Sequence, residues 1–206
     1  MEIEKEKVIV DLPDKLAGKN IIEKKESKGR SLWELARFAI IAVAIVIPIR
    51  IFIAQPFIVS GSSMFPTFKD GQYLVVDEIS YRFENPQRGD VIVFRYPNDP
   101  SKFFIKRIIG LPNETVQITG SDVTIINQEH PEGFKLDQPY VENKSNNEME
   151  YILKDNEYFV MGDNRSASSD SRYWGPVPKK LLIGRAFLRL LPITKISILP
   201  GNYKQG

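Results

Sequence analysis

The sequence predicts a mainly β protein: an antiparallel β-sheet domain with a smaller inserted β subdomain, preceded by one N-terminal transmembrane helix. Two observations lead to this prediction. A single long apolar segment stands near the start of the chain, and short β-patterned runs alternate with turn signals from Tyr73 onward. The chain has 206 residues, which is enough for one good-sized core or two smaller ones.

The apolar segment is predicted to form a membrane helix over residues 32–54. At ~1.5 Å per residue, a helix over the stretch LWELARFAIIAVAIVIPIRIFI is roughly 33 Å long, about the hydrocarbon thickness of a bilayer. Only residues 38–49 are free of charge, a length that also fits a buried core helix or the apolar part of a cleaved signal peptide. We favour the membrane helix because the rest of the chain is β-patterned and offers this helix no obvious partner.

The flanks of this segment predict its orientation. Residues 1–31 are densely charged, with Lys and Glu interspersed, and are expected to form a solvated lead-in. The nearest basic residues are Lys24, Lys25, Lys28 and Arg30. After Arg50 there is no Lys or Arg until Lys69. The positive-inside rule therefore predicts a cytoplasmic N-terminus and places residues 55–206 on the outer side of the membrane.

The remainder of the chain has the pattern of short antiparallel strands. The apolar runs are YLVVDEI, DVIVFRY, KFFIKRII, ETVQIT, DVTII, EYFVM and RAFLRLL. They are separated by turn signals such as KDG, RGD, YPNDP and TGSD, and no intervening segment is long enough for a βαβ crossover. Residues 120–150 are more polar, and we expect them to form an inserted subdomain.

Composition excludes several kinds of chemistry. The chain has no Cys, so disulfides, thiol nucleophiles and thiolate metal sites are excluded. The single histidine, His130, lies in the polar run QEHPEG and is expected on the surface. A net charge of +2 gives no electrostatic case for a nucleic-acid partner. The motifs GxSxG, SxxK, HExxH, GxGxxG and the P-loop are absent, so a hydrolase would most economically use a serine with a lysine base.

Three stretches combine polar residues with features that a fold alone does not require. The segment SGSSMFPTF (60–68) is, taken alone, typical of a flexible linker. The segment FFIKRIIG (103–110) places Lys106 and Arg107 inside an apolar strand, so that one of the two must point with the apolar set. Burial would lower the pKa of such a lysine, although an exposed lysine lying along the surface is the commoner outcome. The segment GDNRSASSDSRYWGPVP (162–178) is a charged, hydrogen-bonded loop or a network that holds a catalytic group.

Together with RGDVIVFRYP (88–97), these stretches resemble the bacterial type I signal peptidases, the Ser-Lys dyad leader peptidases. The resemblance covers roughly residues 32–190. It implies a membrane-bound serine endopeptidase of the bacterial cytoplasmic membrane that removes N-terminal signal peptides from secreted preproteins. Ser63, immediately before Met64, corresponds to the nucleophile of the S-M-x-P-T element. Lys106 corresponds to the general base of the K-R-x-x-G-x-P element.

The resemblance also implies supporting residues. Ser168 matches a serine that hydrogen-bonds the base lysine, and Asp170 and Arg172 match a structural ion pair. The chain departs from the pattern at Gly61, where some members have a serine whose hydroxyl helps to stabilise the oxyanion. Ser60, Ser62 or a backbone N–H remains to supply that donor.

The family's substrates are preproteins with small residues at the first and third positions before the cut. Such residues are expected to occupy shallow pockets, with the substrate backbone added as a strand. The apolar side chains flanking the dyad, expected to line those pockets, are Phe57, Val59, Met64, Phe104 and Ile105. The lipid bilayer is the other expected partner, and no metal or organic cofactor is implied.

Two other functions stay open from the residues. A self-cleaving repressor-type Ser-Lys peptidase would need a DNA-binding domain, for which residues 1–30 are too short and unpatterned. A non-catalytic membrane-tethered β module that binds partners is the alternative from a different class, and it predicts no sensitivity to replacement of Ser63 or Lys106.

Overall fold

The computed structural model describes residues 28–48 and 54–203. Residues 1–27 of the predicted lead-in and residues 49–53 of the predicted membrane helix lie outside the described residues. Helix α1 runs from Lys28 to Pro48. Within the described part of the chain, no helix has the length and apolarity required of a membrane span.

The described strands form two antiparallel sheets, as predicted. The strands are β1 (Ala54–Ile58), β2 (Tyr73–Asp77), β3 (Val91–Tyr96), β4 (Asp99–Gly110), β5 (Thr115–Gly120), β6 (Asp122–Ile126), β7 (Phe134–Lys135), β8 (Asn147–Ile152), β9 (Glu157–Met161), β10 (Val177–Pro178), β11 (Leu182–Leu191) and β12 (Ser197–Ile198). The larger sheet has the order β1-β2-β11-β3-β4-β9-β10, with β12 paired to β11, and the smaller sheet has the order β7-β6-β5-β8. Two short helices, α2 (Ser80–Phe83) and α3 (Ser171–Trp174), lie between strands.

The strands of the smaller sheet lie between β4 and β9 in the sequence, although β4 and β9 are paired neighbours in the larger sheet. Its two central strands bury alternate residues, as in β5, where Val116 and Ile118 are buried and Gln117 between them is exposed. This is the pattern of strands with one covered face. The buried face joins Ile109 and Phe159 of the larger sheet in one apolar cluster, so the two sheets share a core.

Strand β4 is the longest of the described strands, with 12 residues, and both of its faces are buried toward its end. Ile108 packs with Ile92 in one cluster, while Ile109 packs in the cluster shared with the smaller sheet. Lys106 and Arg107 precede these residues and follow the same alternation, so both are buried, with 4% and 0% exposure. The sequence required only one of the two to point inward, but the smaller sheet and its connections cover the second face as well.

Candidate active site

The site begins with a turn between β1 and β2, residues 61–68, which we call the serine turn. Its backbone is closed by hydrogen bonds from the Phe65 N–H to the Ser62 carbonyl at 3.0 Å and from the Phe68 N–H to the Met64 carbonyl at 2.8 Å. Met64 and Phe68 are fully buried in an apolar cluster of the larger sheet. These two anchors hold the turn against the sheet, and Ser63, directly before Met64, stays partly exposed.

Strand β4 brings Lys106 to Ser63 in this turn, although the two residues lie 43 positions apart in the sequence. The Lys106 Nζ lies 2.8 Å from Ser63 Oγ and donates a second hydrogen bond to the Ile105 carbonyl at 2.9 Å. Both contacts have ordinary hydrogen-bond lengths. At this distance a neutral amine can accept the proton of the serine hydroxyl.

Burial sets the protonation of this amine. Removal from water disfavours the ammonium form and lowers the pKa of Lys106 from 10.5 to about 8, although Asp170 and Asp163 oppose the change. Roughly a tenth of the amine is then neutral at pH 7, against about one part in three thousand for an unperturbed lysine. The sequence-based expectation of a lowered pKa therefore agrees with the burial of this side chain.

A buried ion pair connects β4 to the serine turn. Arg107 donates from Nε and Nη2 to the two carboxylate oxygens of Asp163 at 2.8 and 2.6 Å, and neither side chain is exposed. Thr67, in the serine turn, donates its hydroxyl to Asp163 at 2.5 Å. The Asp163 carboxylate therefore binds both the strand that carries Lys106 and the turn that carries Ser63, and it fixes their relative position.

A second ion pair orders the loop after β9. Arg172 donates from Nε and Nη2 to Asp170 at 2.7 and 2.8 Å, and Asp170 also accepts from the Gly162 N–H at 3.0 Å. A Cβ at Gly162 would lie 2.3 Å from Ser168 Oγ and 2.4 Å from the Ser63 carbonyl oxygen. The loop thus approaches the serine turn so closely that a side chain at position 162 would displace one of them.

An open cleft of about 460 Å³ borders the Ser-Lys pair. Ser63 and Lys106 both line it, between residues of β1 and its following loop on one side and residues of β4 on the other. The lining is otherwise mostly apolar, as expected for a cleft that accepts uncharged side chains.

Comparison with known proteins identifies the family of this arrangement. The family model described as "Signal peptidase, peptidase S26" matches residues 32–191. The chain belongs to this signal peptidase family. Its relatives include the "Probable signal peptidase I-2" of Synechocystis sp., which is 38% identical and matches over 86% of this chain and 82% of its own length. The "Signal peptidase I" of Leptolyngbya laminosa is also 38% identical, over 79% of this chain and 82% of its own.

A more distant relative supports the same assignment. The "Signal peptidase I" of Pseudomonas fluorescens is 31% identical over 90% of this chain and 82% of its own length. Family and relatives confirm the class predicted from the motifs, a serine endopeptidase that removes signal peptides. They do not favour the alternative of a non-catalytic binding module.

Within this signal peptidase, most of the residues expected to line substrate pockets lie at the cleft. Phe57, Val59, Phe104 and Ile105 all line it. Met64 is the exception, because its side chain is only 1% exposed and packs into the core beneath the serine turn. Met64 therefore anchors the turn and does not line the cleft.

Ser168 is close to the site but does not contact the amine by hydrogen bonding. Its Oγ is buried and has no hydrogen-bond partner among the described residues. The second hydrogen bond of Lys106 goes to the carbonyl of Ile105. The expected role of Ser168 in orienting the amine stays a prediction.

Gly61 adopts a backbone conformation with φ of +89°, which residues with a side chain rarely adopt. Its N–H donates to the Asp70 carboxylate at 2.8 Å. Gly61 thus supplies neither a hydroxyl nor a free N–H to the cleft.

Sequence reasoning missed Asn164 as a support of the serine turn. Its backbone N–H donates to the Ser63 carbonyl at 3.0 Å and its side-chain amide donates to the Ser62 carbonyl at 3.2 Å. The only available signal was its place in GDNR, next to Asp163. Nothing in the local sequence indicates that these donors point at a turn about a hundred residues away.

Proposed function

We propose that this chain removes signal peptides from secreted preproteins by acyl transfer, with Ser63 as the nucleophile and Lys106 as the general base. The observation that supports this most strongly is the 2.8 Å contact between a buried amine and a hydroxyl at the edge of an open cleft. A serine hydroxyl is a weak nucleophile until an adjacent base takes its proton. An amine whose pKa burial lowers to about 8 is such a base near neutral pH.

The proton balance of the reaction then follows. Neutral Lys106 takes the proton of Ser63 Oγ as that oxygen attacks the scissile carbonyl carbon. The resulting ammonium gives the proton to the nitrogen of the leaving polypeptide when the peptide bond breaks. Lys106, neutral again, takes a proton from the water that attacks the ester carbonyl. The ammonium then returns this proton to Ser63 Oγ as the ester bond breaks.

The oxyanion needs donors at the same rim of the cleft. The N–H of Ser63 donates no hydrogen bond to any described residue and is available for this purpose. Because Gly61 offers no donor, we assign the second hydrogen bond to the oxyanion to a neighbouring hydroxyl group. Ser60 lines the cleft together with Ser63 and is the best placed. Such donors contribute to catalysis when they are fixed before the charge develops.

The edge of β4 offers a place for the substrate backbone. Residues 103–105 of β4 pair with β3 on one side, whereas pairing with β9 begins only at Arg107. Phe103, Phe104 and Ile105 all line the cleft, so the edge of β4 that has no described strand partner here can bind an extended peptide as an added strand. The apolar lining of Phe57, Val59 and Ile105 suits small uncharged side chains such as alanine.

We extend the proposal to location: a single-pass protein of the bacterial cytoplasmic membrane, anchored through residues 32–54, with residues 1–31 inside and 55–206 outside. The side chains of α1 support an apolar environment. Trp33, Leu35 and Phe38 are 70%, 70% and 75% exposed. Large apolar side chains are unfavourable when they are exposed to water. They are stabilised when lipid surrounds them. Retention of the chain in carbonate-washed membranes tests the anchor.

Apolar side chains beside the cleft support a position close to the lipid surface. Ile58 in β1, Tyr73 in β2 and Leu191 in β11 are successive neighbours across the sheet and are 57%, 38% and 40% exposed. Ile58 also lines the cleft. A cleft that continues into an exposed apolar surface is suited to a substrate that emerges from the bilayer.

Cleavage of a preprotein with Ala-x-Ala before the cut tests the proposal. Detergent-solubilised full-length chain is compared with Ser63→Ala and Lys106→Ala, and the product is identified by N-terminal sequencing. We expect cleavage after the second alanine by the wild type and no cleavage by either variant. The matched controls are Ser121→Ala, in the turn between β5 and β6, and Lys135→Ala, in β7, and both should cleave normally. Full activity of Lys106→Ala, or a wild type that cuts no preprotein, would contradict the proposal.

A further inference from the structure

Residues 199–203, which we call the tail segment, pack against the site from the end of the described chain. Gly201 has a φ of +78°, and a Cβ there would lie 2.6 Å from Thr67 Cγ2 and 3.3 Å from atoms of Phe68 and Val91. Gly89 has a φ of +90°, and a Cβ there would lie 2.2 Å from the Tyr203 carbonyl oxygen. Two glycines thus permit the backbone of the tail segment to touch both the serine turn and the loop before β3.

The tail segment also supplies an acceptor to a buried charge. Arg107 donates from Nη1 to the Gly89 carbonyl at 2.8 Å and to the Gly201 carbonyl. The same guanidinium is held by Asp163 through Nε and Nη2. A fully buried guanidinium requires most of its N–H groups to be paired, so the Gly201 carbonyl is one of the groups that keep Arg107 in place.

These contacts form a closed circuit beside the Ser-Lys pair. Gly201 lies so near Thr67 that a Cβ at position 201 would meet its methyl group, Thr67 donates to Asp163, Asp163 binds Arg107, and Arg107 donates back to Gly201. Thr67 is four residues from Ser63 in the serine turn, and Arg107 directly follows Lys106 in β4. The circuit therefore connects the two elements whose relative position sets the distance between hydroxyl and amine.

The tail segment is fixed at both ends. The Leu199 N–H donates to the Phe187 carbonyl in β11 at 2.6 Å, and the Tyr203 hydroxyl donates to Asp137 at 2.5 Å. The ring of Tyr203 also contacts that of Tyr140, whose face packs on the Arg107 guanidinium at 3.9 Å. The segment is thus attached to the larger sheet on one side and to the connection between β7 and β8 on the other.

We propose that the tail segment is a positioning element for the reaction, with Gly201 as the positioning residue that keeps the serine turn in register with Lys106. The inference rests on the proposed function of Ser63 and Lys106. Gly201 is not among the residues that line the cleft, so a disturbance at Gly201 should act on the chemical step and leave substrate binding nearly unchanged. Misplacement of reacting groups by ~1 Å lowers rates by about a hundredfold.

The test is Gly201→Ala in the full-length chain, with cleavage of a preprotein peptide as the assay. We expect kcat to fall by about 10- to 100-fold while KM stays within roughly threefold. The double variant Gly201→Ala, Thr67→Ser removes the methyl group that the new Cβ meets but keeps the hydroxyl that binds Asp163. It should recover most of the lost kcat. Gly120→Ala is the control, because that glycine also has a positive φ, +64°, but lies in the smaller sheet with no atom closer than 3.5 Å.

The folded fraction of each variant is measured by circular dichroism before the rates are compared. If Gly201→Ala does not fold, Tyr203→Phe takes its place, since it removes only the hydroxyl that binds Asp137 and should lower kcat by roughly two- to fivefold without changing KM. A folded variant with unchanged kcat, a loss confined to KM, or no recovery in the double variant would overturn the inference. If Lys106→Ala remained active, the proposed function itself would fail, which is a different result from a silent Gly201→Ala.

Discussion

Replacement of Lys106 by methionine should stabilise the protein at neutral and acidic pH while abolishing cleavage. Burial lowers the pKa of Lys106 from 10.5 to about 8, which means that the charged amine costs the folded state free energy. That difference corresponds to roughly 3 kcal/mol at pH values well below 8. Methionine has a similar length and no charge, so it removes this cost.

The pH dependence distinguishes this effect from other consequences of the substitution. The pKa of Lys106 is lower in the folded state than in the unfolded chain, so between about pH 8 and 10.5 the unfolded chain binds more protons. Wild-type stability therefore rises with pH through this window. The lost hydrogen bonds to Ser63 and to the Ile105 carbonyl cost the variant about 1–2 kcal/mol, roughly the same at every pH.

Urea unfolding of the detergent-solubilised wild type and Lys106→Met at several pH values is the measurement. The stability of the variant relative to wild type should be greater at pH 6 than at pH 10 by roughly 2–3 kcal/mol. Lys135→Met, which removes an exposed lysine of the smaller sheet, should show no such dependence. A difference between Lys106→Met and wild type that is constant from pH 6 to pH 10 would refute the reasoning, because it would mean that Lys106 titrates normally in the folded protein.

Two further predictions concern the amine of Lys106 and the buried ion pair between Arg107 and Asp163. The kcat/KM for preprotein cleavage should rise about 50-fold from pH 6 to pH 8 and level off above, because the neutral amine of Lys106 is the active form; a profile that is flat across this range would contradict the assignment. Asp163→Asn should lower the free energy of unfolding by about 3–5 kcal/mol, because it leaves the buried Arg107 guanidinium without its counter-charge. In urea unfolding, Asp122→Asn, which removes an exposed ion pair, should cost less than about 1 kcal/mol, and equal losses for the two variants would count against the buried pair.

The β architecture follows largely from local pattern. In β5, Val116 and Ile118 alternate with polar neighbours and are the residues that the structure buries. In β4, the apolar run predicted that either Lys106 or Arg107 points with the buried set, and the structure buries both. Such patterns are readable because side chains of a strand alternate between two faces, and in β5 only one of these faces is covered.

Contacts between distant segments are what the sequence could not supply. The burial of Arg107 depends on Asp163, 56 residues away, and on a second sheet that covers the other face of β4. The inward direction of Met64 depends on how the serine turn closes, so an apolar side chain next to Ser63 was assigned to the cleft when it belongs to the core. The pairing of Ser63 with Lys106 came from the resemblance of the motifs to a family, since neither stretch alone excludes a linker or a surface lysine.

The most direct test of Ser63 as the nucleophile is to identify the residue that carries the acyl group during cleavage. Wild-type chain is mixed with a preprotein peptide, quenched in acid within the first turnover, digested and analysed by mass spectrometry. The account predicts an ester between the signal peptide's terminal carbonyl and Ser63 Oγ, and no adduct in Lys106→Met. An acyl group on Ser60 or Ser62, or an undiminished adduct in the lysine variant, would contradict it.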